Sequence, residues 1–461
     1  MVIIERNRDR ADAALREIDC MVEIADGTSL AALRRLSVDQ ADCFIAVTES
    51  DEVNMVACGL VSNAFGTPVK IARVRSVNYG TAISETPDLF GIDHVISPEV
   101  EAAHALLRSI EHGAVGEVVP VAESSFTLRD IRIQPQSPAA GMSLAEMRRE
   151  CDAPFIVPLL QREGEYIVPD GSTRIRSLDT LYLFSGSEAY RTLFQSIDLG
   201  ATDPMHRVLM LGGTLIATTV ARVLTERDVD SGPAEGALRS LLNAGRRIVR
   251  RFGTRVTIVE RDPARCEEIA HLIPAVQVIE ADIRDERRVT PSEYRKHNLV
   301  IGATLDQESN IISALYAKSM GTTRSAAVLY HDGYARVARS LGIDVPVSLK
   351  SSMVNAISSV LHGDAVRIQH SMTGSGLSLV QITVGERSRA LGIPLRDIAL
   401  PKNTLVMSIR RAGTDILPGG DDTLEIGDEA FIMVRTAEIA RLAMLLRGES
   451  EGAFAAGRHR S

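Results

Sequence analysis

Acidic and polar residues close several apolar, strand-like stretches of this chain, and the arrangement recurs. Val2-Ile-Ile ends at Glu5, Met21 to Ala25 ends at Asp26, and Phe44 to Val47 ends at Thr48. The stretch from Val69 ends through Arg73 and Arg75. In an open parallel sheet, ligands sit beyond the carboxyl ends of the strands. An acid ending the second strand is the usual partner of an adenosine ribose. Thr257-Ile-Val-Glu260 repeats Val2-Ile-Ile-Glu5, which favours a ligand role for Glu5 and Glu260 over that of a solvated strand end. Ahead of Glu260, Arg207-Val-Leu-Met-Leu211 leads into Gly212-Gly-Thr-Leu-Ile-Ala217. Placed between a strand and a helix, such a turn lets backbone amides and the helix N-terminus meet a pyrophosphate. Gly212 and Ala217 fit the G-x-G-x-x-G/A pattern. Thr214 stands at its second glycine, where a side chain crowds the phosphates.

The chemistry that is missing is as informative. No tyrosine has a lysine four residues on, so the proton-transfer pair of short-chain dehydrogenases is absent. There is no GxSxG and no GxxxxGK[ST]. His94 follows Asp93, but the matching Asp344-Val345 lacks the histidine, so His94 reads as a packing or surface residue. Two nucleotide folds with no visible catalyst describe a sensor better than an enzyme. The alternatives are a soluble NAD-dependent oxidoreductase with an unrecognised active site and a ligand-free scaffold.

The strands and helices that hold these residues in place obey a tandem duplication. Glu52 and Glu308, Asn54 and Asn310, and Ala25-Asp26 and Ala281-Asp282 all lie 256 residues apart. Gly91-Ile-Asp93 and Gly342-Ile-Asp344 lie 251 apart. Repeated patches at nearly one offset are the signature of a duplicated unit. Residues 1–112 alternate short strands with helix-like stretches, including a helix entered near Asn54 and closed by Gly66, which predicts a doubly wound parallel sheet. This unit starts at what looks like the second strand. Loss of the first, central strand would leave a gap with unpaired backbone groups. The expectation is a misplaced start, a fragment or a degenerate half.

Residues 113–203 change to short strands around one helix at Ser143 to Arg149, a small α+β unit. Residues 204–365 restart the nucleotide-fold pattern, with an insertion near 227–252 carrying Arg246, Arg247, Arg250 and Arg251. That cluster reads as the solvated face of an extra helix. Tyr330-His331 stands where the first half has Arg73 to Arg75. Residues 366–448 repeat the small unit: Leu391-Gly-Ile-Pro-Leu395 parallels Gly141-Met-Ser-Leu144, and Pro418-Gly-Gly-Asp-Asp422 parallels Pro169-Asp-Gly-Ser-Thr173. Residues 449–461 are Gly-, Ala- and Arg-rich and read as a disordered tail.

Composition bounds the rest. The chain has 461 residues, 45% hydrophobic and 24% charged, the balance of a globular protein of several domains. A net charge of −9, no tryptophan and 4% aromatic content argue against nucleic acid as a partner. Five scattered cysteines without a CxxC pair predict neither zinc nor a disulfide framework.

The order of nucleotide fold, small α+β unit, nucleotide fold, small α+β unit resembles the TrkA family of tandem RCK (KTN) proteins, the cytosolic gating subunits of bacterial Trk potassium uptake systems. The residues that carry the resemblance are Ile45-Ala-Val-Thr-Glu-Ser-Asp-Glu-Val-Asn-Met-Val-Ala57, Ile71-Ala-Arg-Val-Arg-Ser76 and Ile92-Asp-His-Val-Ile-Ser-Pro98. It covers residues 1 to about 448. Thr214, the insertion and the lost arginine pair depart from the pattern. The resemblance implies a ring of RCK domains beneath a TrkH-type membrane channel subunit, at the inner face of the plasma membrane. NAD(H) or ATP/ADP would bind at the strand ends as regulatory ligands. Carried over, Glu5 would hold the ribose, Asp26 and Thr48 would line the adenosine pocket, and Arg73 and Arg75 would reach phosphates. In the second half Gly212, Gly213 and Glu260 would take the turn and ribose roles, with Asp282 and Thr304 behind them.

Overall fold

The computed structural model describes residues 1–66, 69–76, 79–80, 82–83, 86, 90–111, 118–121, 124–151, 153–186, 189–190, 192–193, 207–225, 254–285, 287–361, 366–372 and 375–448. The expected insertion near 227–252 and the expected tail at 449–461 lie outside these residues. Two compact units divide the chain, one holding Met1–Glu99 and the other most of the chain from Val100 onward.

The first unit runs β1 (Val2–Glu5), α1 (Arg8–Glu17), β2 (Met21–Ile24), α2 (Leu30–Arg35), β3 (Cys43–Ala46), α3 (Asp51–Phe65), β4 (Val69–Arg73) and β5 (His94–Ile96). All ladders are parallel, as alternating strands and helices require. They form two sheets rather than one, β1-β2 and β3-β4-β5, and no ladder joins β1 to β3 among the described residues. The expected gap is therefore present as a seam. Ile4 of β1 and Phe44 of β3 both pack on a cluster centred on buried Leu33, Val38 and Val61. Helix α3 starts at Asp51, three residues before the expected Asn54, because Ser50 caps it by accepting from Val53 N. Gly66, at φ +65°, closes it as expected.

After α4 (Pro98–Glu111), the strands β6 (Val118–Pro120), β7 (Phe126–Arg132), β8 (Phe155–Arg162), β9 (Glu165–Ile167) and β10 (Thr180–Gly186) form an antiparallel sheet in the order β6-β7-β10-β8-β9. Helix α5 (Leu144–Glu150) opens with a capping box between Ser143 and Glu146.

Strand β11 (Arg207–Leu211) is the centre of a six-stranded parallel sheet. It is followed by α6 (Leu215–Thr225), β12 (Arg255–Glu260), α7 (Pro263–Leu272), β13 (Gln277–Glu280), α8 (Pro291–Lys296), β14 (Leu299–Gly302), α9 (Gln307–Ser319), β15 (Arg324–Leu329), α10 (Asp332–Leu341), β16 (Val345–Ser348) and α11 (Leu349–Leu361). The strand order is β13-β12-β11-β14-β15-β16. Val208, Leu209, Met210 and Leu211 are each 0% exposed, which explains why β11 is apolar without alternation. The chain order reverses at β11, so its carboxyl end and that of β14 form the topological switch point.

Strands β17 (Val366–Met372), β18 (Leu377–Thr383), β19 (Leu405–Arg411), β20 (Thr414–Ile416) and β21 (Glu429–Arg435), closed by α12 (Ile439–Arg447), repeat the earlier antiparallel sheet strand for strand. The repeat extends to side chains. Arg162 holds Asp179 through Nε and Nη2, and Arg411 holds Asp428 the same way. A short 3-10 turn at Leu395–Asp397 stands where α5 lies in the first copy. The two antiparallel sheets share one apolar core in which Phe126, Leu159 and Phe184 meet Leu379, Met407 and Phe431. Burying side chains of this size stabilises by roughly 1.5–3 kcal/mol each. No helix among the described residues is long and apolar enough to cross a membrane.

Candidate functional site

In the second half, the expected site residues sit at the carboxyl ends of four adjacent parallel strands. Gly212 and Gly213 follow β11, Glu260 ends β12, Asp282 follows β13 and Thr304 follows β14. Gly212 has φ +107°, and a Cβ there would lie 2.9 Å from both Ala303 O and Thr304 Cα, so only glycine fits. Glu260 Oε2 accepts from Gly213 N at 2.7 Å, and its Oε1 accepts from Arg261 N and Asp262 N. Arg265 Nε donates to Gly213 O at 2.9 Å. The turn is thus gripped at both its N–H and its C=O. The Thr214 hydroxyl donates to Ala303 O at 2.7 Å, which ties the turn to the end of β14. Gly212, Gly213, Glu260 and Thr304 are brought together.

Asp282 stands apart from that group. Arg284 holds it with Nε at 3.0 Å and Nη2 at 2.8 Å, and Arg284 N donates as well. These bonds from the Arg284 side chain and backbone hold the Asp282 carboxyl far below the usual carboxylate range.

The end of β14 is built around Asn310, which is fully buried. Its Oδ1 accepts from Thr304 N and Thr304 Oγ1, and its Nδ2 donates to Thr304 O and Val328 O. Tyr330 Oη also donates to Thr304 O, at 3.1 Å. The first half repeats this clamp: Asn54 Oδ1 accepts from Thr48 N and Oγ1, and Nδ2 donates to Thr48 O and Arg73 O. Gln307 Oε1 accepts from Tyr330 N and His331 N, as Asp51 Oδ2 accepts from Arg75 N and Ser76 N.

The first-half residues fall into two sets. Thr48, Arg73 and Arg75 meet at the ends of β3 and β4. Arg73 Nη1 donates to Thr48 O at 3.2 Å, and Arg75 Nη2 donates to Glu49 O. A surface cavity of about 560 Å³ opens beside them, lined by Glu49, Ser50, Asp51, Glu52, Arg75, Ser76 and Tyr79. Glu5 and Asp26 belong to the separate β1-β2 sheet. Glu5 Oε1 accepts from Asn7 N, and Asp26 accepts from the hydroxyl and the amide of Thr28, bonds that lower its pKa. Between the two sheets, Arg10 Nη2 meets Glu49 Oε1 at 3.0 Å.

Sequence reasoning missed Arg265 and Arg10. Their signal was present: they lie 255 residues apart, the same spacing as Glu5 and Glu260. It also missed Tyr79, whose hydroxyl meets Glu52 at 3.2 Å, and Tyr334, whose pKa a bond to Glu308 raises.

Comparison with known proteins places this arrangement. Residues 1–98 and 242–349 match the TrkA-N domain, and residues 128–198 and 379–447 match the TrkA-C domain. The chain is 27% identical over 457 residues to the Trk system potassium uptake protein TrkA of Azorhizobium caulinodans, covering 96% of this chain and 93% of that protein. It is 25% identical over 449 residues to a TrkA homolog of Archaeoglobus fulgidus, covering 97% and 94%. Among solved structures, it shares the fold of the GsuK channel bound to NAD, with TM-score 0.51, 15% identity, and 96% of this chain and 74% of that chain covered. The GsuK RCK domain gives TM-score 0.51 and 16% identity, covering 97% of this chain and 90% of that chain. With TrkA-N and TrkA-C domains each present twice in alternation, the chain belongs to the TrkA family.

Proposed function

We propose that this chain is the regulatory subunit of a Trk-type potassium uptake system and turns nucleotide occupancy into gating of a TrkH-type membrane channel subunit. On this reading it works as a homo-oligomeric ring, peripheral on the inner face of the plasma membrane, and carries out no catalytic turnover. We take its domains as residues 1–112, 113–203, 204–365 and 366–448. The names of the relatives support the potassium-uptake role.

One observation carries the nucleotide part. Glu260 and the Gly212–Gly213 turn meet at the switch point of a parallel sheet, ahead of helix α6. That geometry fits the adenosine end of NAD(H), ATP or ADP, with the Glu260 carboxylate facing ribose hydroxyls and backbone amides facing phosphate. Bound there, the nucleotide would supply negative charge and ribose donors and undergo no reaction. A ligand shifts the ring only if it binds two ring shapes unequally. Arg73 and Arg75, turning to a phosphate from the backbone carbonyls they now hold, would supply such a difference in the first half.

A second reading is a scaffold half. The Thr214–Ala303 and Tyr330–Thr304 bonds close the second-half crevice from within, and they favour it. Equilibrium binding of NADH, NAD, ATP and ADP to the purified chain separates the two. The sensor reading expects micromolar binding, weakened by Glu260→Ala or by Arg73→Ala according to the half that binds. No binding of any nucleotide leaves the scaffold.

A further inference from the structure

Helix α10 is tied at its two ends to two different modules. Tyr330 stands two residues ahead of it, and Arg339 lies in its last turn. At the carboxyl ends of β14 and β15, Tyr330 Oη donates to Thr304 O at 3.1 Å. Gln307 Oε1 accepts from Tyr330 N and His331 N, so the backbone entering α10 is held at the same place. Ten residues of helix span roughly 15 Å. At the far end, Arg339 Nη2 lies 3.3 Å from Asp130 Oδ2, and Arg339 Nη1 donates to Tyr182 Oη at 3.4 Å. Arg132 Nη1 donates to Arg339 O. Asp130, Arg132 and Tyr182 belong to β7 and β10 of the first small sheet.

Both attachments are particular to their copy of the repeat. In the first small sheet Tyr182 faces Asp130, and Thr180 faces Arg132. The matching ladder of the second small sheet sets Phe431 opposite Gln381 and Glu429 opposite Thr383. The acid, the cation and the phenol that hold Arg339 are thus replaced by Gln381, Thr383 and Phe431. Asp130 is 6% exposed and Tyr182 5%, so burial shields these contacts from the screening that weakens a surface ion pair. At the other end, Asn54 Nδ2 donates to Arg73 O and Asn310 Nδ2 to Val328 O, so Val328 stands in the place of Arg73. Thr48 O is capped by the Arg73 side chain from within β4, but Thr304 O by a phenol at the entry to a helix. Between the two ends, Asp332 Oδ1 accepts from the hydroxyls of Ser348 and Ser351, which pins the first turn of α10 to β16 and α11. Among the ten residues of α10 only Ala338 is buried, so little apolar contact resists a swing about that pin.

We propose that α10 is a lever that reports occupancy of the second-half crevice to the first small sheet. With the Tyr330 phenol on Thr304 O, the crevice is latched and Arg339 is docked on Asp130 and Tyr182. A ligand hydroxyl that takes Thr304 O, as a ribose hydroxyl would, displaces the phenol, swings α10 about Asp332 and draws Arg339 off the sheet. Tyr182 is also part of the core that the two small sheets share, so undocking reaches the joint between them. Latch and dock both oppose the ligand, and by linkage a weaker dock gives tighter binding. The coupling is carried by an element with two arrangements that both ends bias. The identity of the ligand rests on the nucleotide reading; the mechanical coupling of the two ends does not.

The test uses the full chain with one conservative variant at each end, Tyr330→Phe at the latch and Asp130→Asn at the dock. Hydrogen exchange without ligand should quicken roughly tenfold or more at the end remote from each change. That is the last turn of α10 in Tyr330→Phe, and the Tyr330 and His331 amides in Asp130→Asn. Strands β11 and β12 should keep their rates and so report an intact fold. Tyr182→Phe, which keeps its ring in the core, takes the place of Asp130→Asn if those strands are disturbed. Quickening confined in each variant to its own end would overturn the lever. NADH and ATP titrations of the same proteins form the second arm. The dock variant should bind the nucleotide roughly fivefold or more tighter than wild type, and Glu260→Ala should abolish the gain. Binding through Glu260 that the dock variant leaves unchanged would overturn the lever and keep the nucleotide reading. Coupled exchange with no binding of either nucleotide would keep the lever and remove the nucleotide reading of the second half.

Discussion

Asn310 grips Thr304 through both ends of its amide, taking the threonine's N–H and hydroxyl and giving a hydrogen to its carbonyl. Asn54 does the same to Thr48, 256 residues earlier. Both asparagines are 0% exposed, and both also tie the turn to the neighbouring strand. The clamp fixes the strand end that a ligand would meet. Asn310→Ala leaves Thr304 N, Thr304 O and Val328 O without this partner, at a cost of roughly 3 kcal/mol. Urea unfolding monitored by hydrogen exchange at β14 and β15 should show this loss locally. Asn310→Asp should also destabilise, because a carboxylate cannot donate to Thr304 O or Val328 O.

Asp415 joins the two small sheets. It accepts from the Ser124 hydroxyl, from the Ser125 amide and hydroxyl, and from Arg410 Nε. Burial pushes its pKa up, but the bonds from Ser125, Arg410 and Ser124 outweigh that and leave it lowered. A lowered folded-state pKa gives stability that is present above the ordinary aspartate value. It is lost as pH falls through the folded value. The contact between the sheets should therefore weaken in acid, below about pH 4. Asp415→Asn should blunt that acid sensitivity while lowering stability at pH 7. Near-ultraviolet circular dichroism of Tyr182 within the shared core and Tyr166 packed against it is the readout. A wild-type and variant with the same acid midpoint would sink the idea.

Much of this fold could be worked out from residue pattern because the chain carries its own comparison. Strand ends at Glu5, Asp26, Glu260 and Asp282 were marked by acids, and both pairs recur at nearly one offset. Helix α3 starts three residues before the expected entry near Asn54. The cap is Ser50, and the Asn54 amide is spent on tertiary bonds that no local pattern reveals. Thr214 was legible as an obstacle, but its bond to Ala303 depends on a strand 89 residues away. The same holds for Arg10: its type and spacing were visible, its change of partner from a glycine carbonyl to Glu49 was not.

The cysteines should differ in reactivity. Burial pushes the Cys58 thiol up to about 12, and burial with Asp93 and Asp42 nearby pushes Cys43 up to about 11. Thiolate, not thiol, attacks an alkylating reagent. At pH 8 both should resist iodoacetamide in the folded chain, while the partly exposed Cys20 is labelled first. Peptide mass spectrometry over time checks the order. Rapid labelling of Cys58 would show that α3 opens readily from β4.

The two turn glycines should respond unequally to alanine, and this separates backbone demand from side-chain crowding. A Cβ on Gly213 meets Ile269 Cδ1 at 2.5 Å and Glu260 Oε2 at 3.0 Å, both ends of movable side chains. A Cβ on Gly212 meets Ala303 O and Thr304 Cα, which are backbone, and the residue sits at φ +107°. Gly213→Ala should cost about 1 kcal/mol through local repacking, whereas Gly212→Ala adds backbone strain of order 1–3 kcal/mol on top of the clash. Binding should order them differently. Gly213→Ala displaces the Glu260 carboxylate and so should weaken a ribose contact while the domain stays folded. Gly212→Ala pushes β11 and β14 apart and should lower stability and binding together. Thermal melts paired with nucleotide titration distinguish the two. If Gly213→Ala left binding untouched while Gly212→Ala lowered only stability, the glycine turn would be architecture without a ligand, and the second half a scaffold.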